Sequence, residues 1–173
     1  FVQSFHEGVR LKLQGNYSEA IDRFKICLEN QPSDDATHFA LAQTYLLLGD
    51  LQQAEAHTIS AVQADRDNLF YQVELAYMLR EKGVFNEAAE LFEVIAESRT
   101  RNTEYYLAAI DCYKRSGSYS KAIKVLENLE QLKGNHLEAA IRKHRVYLEM
   151  GRPKDAEKAL IDFYNKHPKN TMV

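Results

Sequence analysis

The chain has 173 residues, 45% apolar and 27% charged, with 22 basic against 25 acidic side chains for a formal net charge of −3. That composition can bury a core, but its faint acidic balance lacks the clustered positive charge of a general nucleic-acid binder. No apolar run reaches the roughly 18 residues of a membrane-spanning helix, no basic segment leads into an apolar one as in a signal peptide, and two cysteines make no disulfide framework.

The opening residue is Phe1 rather than Met, as in a fragment or a processed product whose missing ends carry its address. Five of the seven glycines, Gly15, Gly49, Gly83, Gly117 and Gly151, recur every 34 residues. Ala20, Ala54, Ala88, Ala122 and Ala156 follow at the same interval. The units are 1–34, 35–68, 69–102, 103–136 and 137–170, and 171–173 read as the start of a further unit or a tail. The expectation is one array over 1–173 with no internal domain boundary.

Positions within a unit are numbered 1 to 34. In the first unit a helical segment runs to Gly15, and a second, from Tyr17 to about Gln31, carries Tyr17, Ala20, Ile21, Phe24, Cys27 and Leu28 on one face. Asn16 with Glu19 has the form of a capping box, and Pro32 closes the helix. The second unit starts from Asp34 and predicts a helix over Asp35 to Leu48, with Leu41, Ala42, Tyr45 and Leu48 at helical spacing. Gly49 ends it in the left-handed conformation, and Asp50 caps the next helix. Asn68 and Asn102 open the third and fourth units, and Ser118 stands at the second helix start of the fourth. In the fifth, His136 breaks the series of caps, Pro153 takes the first helical position, and Pro168 and Asn170 close the unit. Each unit is therefore a helix A, a turn, a helix B and a turn.

Small residues at position 8 (Gly8, Ala42, Ala76) and position 20 let the two helices approach to about 8–10 Å. Aromatics at Tyr17, Phe85 and Tyr119, and at Tyr45, Tyr113 and Tyr147, fill space at the turn and at the next unit. One such pair cannot bury its apolar faces alone, whereas five stacked pairs make a continuous core.

With its period of 34 and Leu41, Ala42, Tyr45, Gly49, Ala54 and Ala61, the array resembles the tetratricopeptide repeat. Gly15-Asn16-Tyr17 followed by Ala20, Phe24 and Pro32 resembles it equally. The resemblance implies an all-α fold, a right-handed solenoid of ten helices. Ile110 and His144 at position 8, and Lys143 at position 7, depart from the pattern and predict looser packing of the fourth and fifth A helices. Over a longer range the chain is similar to tandem arrays of envelope-associated proteins in Bacteroidetes-type bacteria. That similarity implies a periplasmic or envelope location as the alternative to the cytoplasm.

No reactive constellation is visible. His6, His38, His57, His136, His144 and His167 include no pair at i, i+3 or i+4 suited to a metal. Cys27 falls on the core face of a B helix and Cys112 on an A helix three units on, too far for a disulfide at about 10 Å per unit. The periodic glycines are helix terminators, not a phosphate cradle, and Glu87 and Glu90 lie on a solvent face. The expectation is a noncatalytic chain with no cofactor and no metal.

In the family the A helices line a concave groove, so the resemblance places positions 2, 5, 6, 9, 12 and 13 there. Position 5 reads Phe5, Phe39, Val73, Leu107 and Ile141, and position 9 reads Val9, Gln43, Tyr77, Asp111 and Arg145. The first half of the groove is apolar, with Val2, Leu13, Leu47 and Phe70 added. The second is charged, with Asp111, Lys114, Arg115, Arg142 and Arg145. Two plainer readings compete: position 5 packs between neighbouring A helices, and Asp111 neutralises Arg145. The family's carboxylate clamp requires basic residues at position 5, and its asparagine ladder requires Asn at position 6; neither is present in any unit.

The function expected is a scaffold that holds a partner helix or extended peptide. Phe39, Val73 and Tyr77 are its central contacts, and Arg142 and Arg145 orient an acidic flank. The alternatives are a structural or assembly segment of a longer repeat protein, and an accessory region of an enzyme whose catalytic domain lies elsewhere. Open array ends predict end-to-end self-association. Nucleic-acid binding and membrane insertion are not expected.

Overall fold

The computed structural model describes residues 1–98, 102–132 and 136–166. Among them the chain forms ten α-helices and no strand. Two compact units make up the chain, Phe1–Met78 and Leu79–Val173. The first holds α1 (Val2–Leu13), α2 (Tyr17–Asn30), α3 (Asp35–Leu48), α4 (Leu51–Ala64) and most of α5 (Leu69–Glu81). The second holds α6 (Phe85–Glu97), α7 (Thr103–Arg115), α8 (Tyr119–Glu130), α9 (His136–Glu149) and α10 (Pro153–Lys166). Odd-numbered helices are the A helices and even-numbered ones the B helices.

The 34-residue glycines end each A helix as expected. All five have positive φ, from 69° to 84°. At Gly49 a Cβ would meet nothing within 4 Å, so the requirement there is the left-handed backbone and not space.

Helix starts divide into two kinds. Asp34 accepts from the Thr37 N–H at 2.8 Å, Asp50 from the Gln53 N–H at 3.1 Å, and Asn102 from the Glu104 N–H at 2.9 Å. Asn68 accepts from the Phe70 N–H at 3.2 Å. Asn16 and Ser118 occupy cap positions without a side-chain cap bond, so the capping box of Asn16 and Glu19 does not form. Their ψ angles of 63° and 51° fall short of the extended geometry that turns a cap side chain back onto its helix. The Ser118 hydroxyl instead donates to Asn86 Oδ1 at 2.8 Å. Pro153 takes the first position of α10. Pro168, Asn170 and residues 171–173 lie outside the described residues.

The core is built from repeat rows. The alanines of position 20 are all fully buried. Position 27, reading Cys27, Ala61, Ile95, Leu129 and Phe163, is buried in every copy. Gly8 is small for a different reason than its facing Ala20: a Cβ there would sit 2.6 Å from Cε1 of the buried Phe24 ring. Buried Thr44 and Thr58 satisfy their hydroxyls on the Ala40 and Ala54 carbonyls of their own helices.

The expected loosening of the fourth A helix is not found. Ile110 is buried in α7 together with Tyr106, Ala109, Cys112 and Tyr113, because the larger side chain replaces volume and does not leave a gap. In α9, Ala139, Ala140 and Val146 are buried. Lys143 is accommodated by an ion pair with Glu130 of α8, both side chains being largely buried. His144 is half-buried, and its Nδ1 is enclosed without a hydrogen-bond partner among the described residues.

Candidate protein-interaction face

In the first unit, side-chain contacts join the A helices along one face. Lys12 Nζ of α1 donates to Gln43 Oε1 of α3 at 2.8 Å, and burial lowers the Lys12 pKa. Phe39 of α3 stacks on Tyr71 of α5 at 4.7 Å between centroids and meets Phe70 edge-on at 5.1 Å. The Tyr71 hydroxyl donates to Asp35 Oδ2 at 2.9 Å. Burial first, and the bond to Asp35 second, push the Tyr71 phenol up to about 12.

The six expected contact residues here, Phe5, Val9, Phe39, Gln43, Val73 and Tyr77, are all half-buried. Phe5 packs on Phe24 at 5.7 Å, and Val9 lies against the same core cluster. At Phe5 and Phe39 the position-5 row therefore serves packing, the plainer of its two readings. Positions 2 and 13 behave otherwise: Val2 is 66% exposed, Leu13 80%, Leu47 57% and Phe70 55%. The spacing 2, 5, 9, 13 keeps these on one side of the helix, so the face has a half-buried floor between exposed apolar ends.

In the second unit, α9 bears a cavity of about 430 Å³ lined by Leu137, Glu138, Ile141, Arg142 and Arg145. Arg142 is held by Glu138 one turn before it, with Nη2 2.7 Å from Oε1. Asp111 and Arg145 are both exposed, and neither forms an ion pair among the described residues. The expected neutralisation of Asp111 by Arg145 is not what occurs. Lys114 pairs instead with Glu149 at 2.8 Å, and the Arg115 guanidinium lies 4.8 Å from the Phe85 ring centroid. Arg145 lines that cavity and forms no ion pair among the described residues.

Both cysteines are free and buried. Desolvation pushes the Cys112 thiol up to about 11, with Asp111 adding to it, which makes a poor nucleophile at neutral pH. Burial likewise raises the Cys27 thiol. Among the described residues no three His, Cys, Asp or Glu side chains gather as a metal site, and no helix is long and apolar enough to cross a membrane.

One cluster escaped the sequence reading. His38 Nδ1 and His57 Nδ1 stand 3.0 Å apart, and Tyr45 stacks on His57 with its ring 5.6 Å away and within 6° of parallel. The two histidines are 19 residues apart, on α3 and α4, so no local spacing signals them.

Two family models cover most of the chain. Residues 11–77 match the model described as tetratricopeptide repeat, and residues 81–163 match that of anaphase-promoting complex, cyclosome, subunit 3. The chain belongs to the tetratricopeptide repeat family. It is 28% identical over 171 residues to the BBSome complex member BBS4 homolog of Drosophila melanogaster, covering 91% of this chain and 35% of that protein. Among solved structures, MamA superposes with a TM-score of 0.66 at 17% identity, over 99% of this chain and 93% of its own. YrrB, described as a TPR protein with an unusual peptide-binding site, superposes at 0.65 with 15% identity, over 96% of this chain and 86% of its own. These structural likenesses establish the fold. The chain spans 8–35% of the length of the curated relatives it matches. Those relatives are animal proteins, so the similarity to bacterial envelope arrays finds no support among them. Tetratricopeptide repeats are scaffolds for protein interaction, and this chain carries the paired-helix repeat of that family.

Proposed function

We propose that this tetratricopeptide repeat chain is a noncatalytic scaffold that holds a partner helix or extended peptide against the A-helix face. The observation that carries the reading is the exposure of Val2, Leu13, Leu47 and Phe70 beside a half-buried floor. Scattered single apolar side chains are ordinary on a surface, but a set sharing one face of adjoining helices marks a partner site. The structurally similar YrrB, a TPR protein with an unusual peptide-binding site, is consistent with this use of the fold.

The proposed contacts divide between anchors, floor and a charged flank. Leu13, Leu47 and Phe70 supply exposed anchoring surface. Val73, Tyr77 and Gln43 are floor residues, and Phe39 supports Phe70. Arg145, exposed and without an ion pair among the described residues, takes an acidic group of the partner, with Arg142 beside it in the α9 cavity.

Selection from a displayed random-peptide library, followed by fluorescence titration of a selected peptide, tests the reading. Leu47→Asp with Phe70→Asp is the informative variant, since both side chains are solvent-facing and the fold should tolerate the change. Phe39→Asp is a poorer choice because its ring is packed on Tyr71. The reading expects at least a tenfold loss of affinity in a variant of unchanged helicity. Unchanged affinity for every selected peptide would count against this face and favour an assembly segment.

A further inference from the structure

We infer that His38 and His57 form a proton-operated latch, which ties the α2–α3 turn to α4 while the pair holds at most one proton and opens when both rings are protonated. The two Nδ1 atoms lie 3.0 Å apart, and His38 Nε2 lies 2.9 Å from the Pro32 carbonyl oxygen.

These contacts fix the protons. A carbonyl only accepts, so His38 Nε2 carries a hydrogen and donates it to Pro32. In the neutral ring His38 Nδ1 is then the acceptor, and His57 must donate from Nδ1. The result is a chain of two hydrogen bonds from α4, through the His38 ring on α3, to the turn that follows α2. Tyr45, parallel to the His57 ring, holds that ring in plane.

A first added proton does not break the chain. It goes to His57 Nε2, which neither hydrogen bond uses, and the Nδ1–H donor becomes charge-assisted. A second proton has one place left, His38 Nδ1. Two N–H groups would then point at each other across 3.0 Å between two cations, and the rings must part. The surroundings of His57 favour its neutral form. Burial lowers the His57 pKa, and the positive charge of Lys25 on α2 acts in the same direction. The carboxylates at the head of α3 are committed elsewhere: Asp34 to the Thr37 N–H and Asp35 to the Tyr71 hydroxyl. The two rings bond to each other and to the Pro32 carbonyl.

Opening the latch frees the Pro32 carbonyl and the first turn of α3, the helix that bears Phe39, Gln43 and Leu47. The latch stands on its own geometry and does not require that face to bind a partner.

Nitrogen-15 NMR of the histidine rings in the full chain, from about pH 8 to about pH 4.5, tests this. At the upper end His38 should be the Nε2–H tautomer and His57 the Nδ1–H tautomer. On acidification His57 should titrate below the ordinary imidazole value of 6.5. The amides of residues 32–38 and of His57 should then shift together in a separate, more acidic step. Mixed tautomers at about pH 8, or two independent titrations with no amide step, would overturn the latch. His57→Phe keeps a ring on Tyr45 but removes the donor, and should abolish the acid step at residues 32–38. Persistence of that step in a folded variant would also overturn it, and the wild-type tautomers decide the matter if the variant does not fold.

Discussion

Glycine does two opposite jobs in this chain, and single substitutions separate them. At Gly8 the backbone is ordinary helix, and the constraint is the Phe24 ring 2.6 Å from where a Cβ would sit. Gly8→Ala gains about 1 kcal/mol of helix propensity but must move a fully buried ring, an overpacking cost of about 1–3 kcal/mol. The expected net is a loss of about 1 kcal/mol in denaturant unfolding. At Gly49 there is room, but φ is 79°. Gly49→Ala should lose about 1–2 kcal/mol through the backbone alone. Tyr71 gives a prediction in pH. A phenol raised on folding keeps its proton in the folded state longer than in the unfolded one. Its stabilising contribution is therefore complete below the ordinary value of 10 and is lost as pH rises towards and through about 12. Thermal melts between about pH 9 and 12 should show wild type losing more stability than Tyr71→Phe, and a parallel loss in both proteins would contradict the assignment.

Among the helices, the informative element is α9, where Lys143 stands at a position that Leu41 and Ala109 fill with buried apolar side chains. The sequence marks this as a defect, whereas the structure shows a compensated one: Lys143 reaches Glu130 across the α8–α9 contact. Removing one partner leaves the other charge largely buried, so Glu130→Ala should destabilise by about 3 kcal/mol. Lys143→Leu with Glu130→Leu should be near neutral or stabilising, since desolvating two ions offsets most of their attraction. Chemical denaturation of the two variants tests this, and equal losses in both would refute the compensation argument. Helix ends teach a related lesson. Asp34, Asp50, Asn68 and Asn102 cap as their residue types predict, while Asn16 and Ser118 stand in the right register with the wrong ψ. Residue type gives the capability; the backbone leaving the preceding glycine decides whether it is used.

For the molecule as a whole, the main prediction is that its apolar A-helix face binds protein, tested by Leu47→Asp with Phe70→Asp. A second concerns self-association. On α10 Ile161 is 49% and Tyr164 48% exposed, and an apolar pair on one helix is a surface on which a second copy can pack. Light scattering should show a weight-average mass that rises with concentration and falls back in Ile161→Asp with Tyr164→Asp. A constant monomer mass in the wild type would remove this expectation.

By itself the sequence determined the ten helices, their turns and the buried rows, because a 34-residue period repeats the same local instructions five times and helical spacing is a local property. It also determined which residues stand at positions 2, 5, 9 and 13. Only the tertiary structure decided which of these meet solvent. Phe5 and Phe39 sink against Phe24 and Tyr71, while Leu13 and Leu47 do not, because exposure depends on what the neighbouring helices place opposite. The same holds for Lys114, which finds Glu149, and for His38 and His57. Such pairings join residues 19 to 35 positions apart, and no pattern within one helix carries them, since they exist only once the helices have packed.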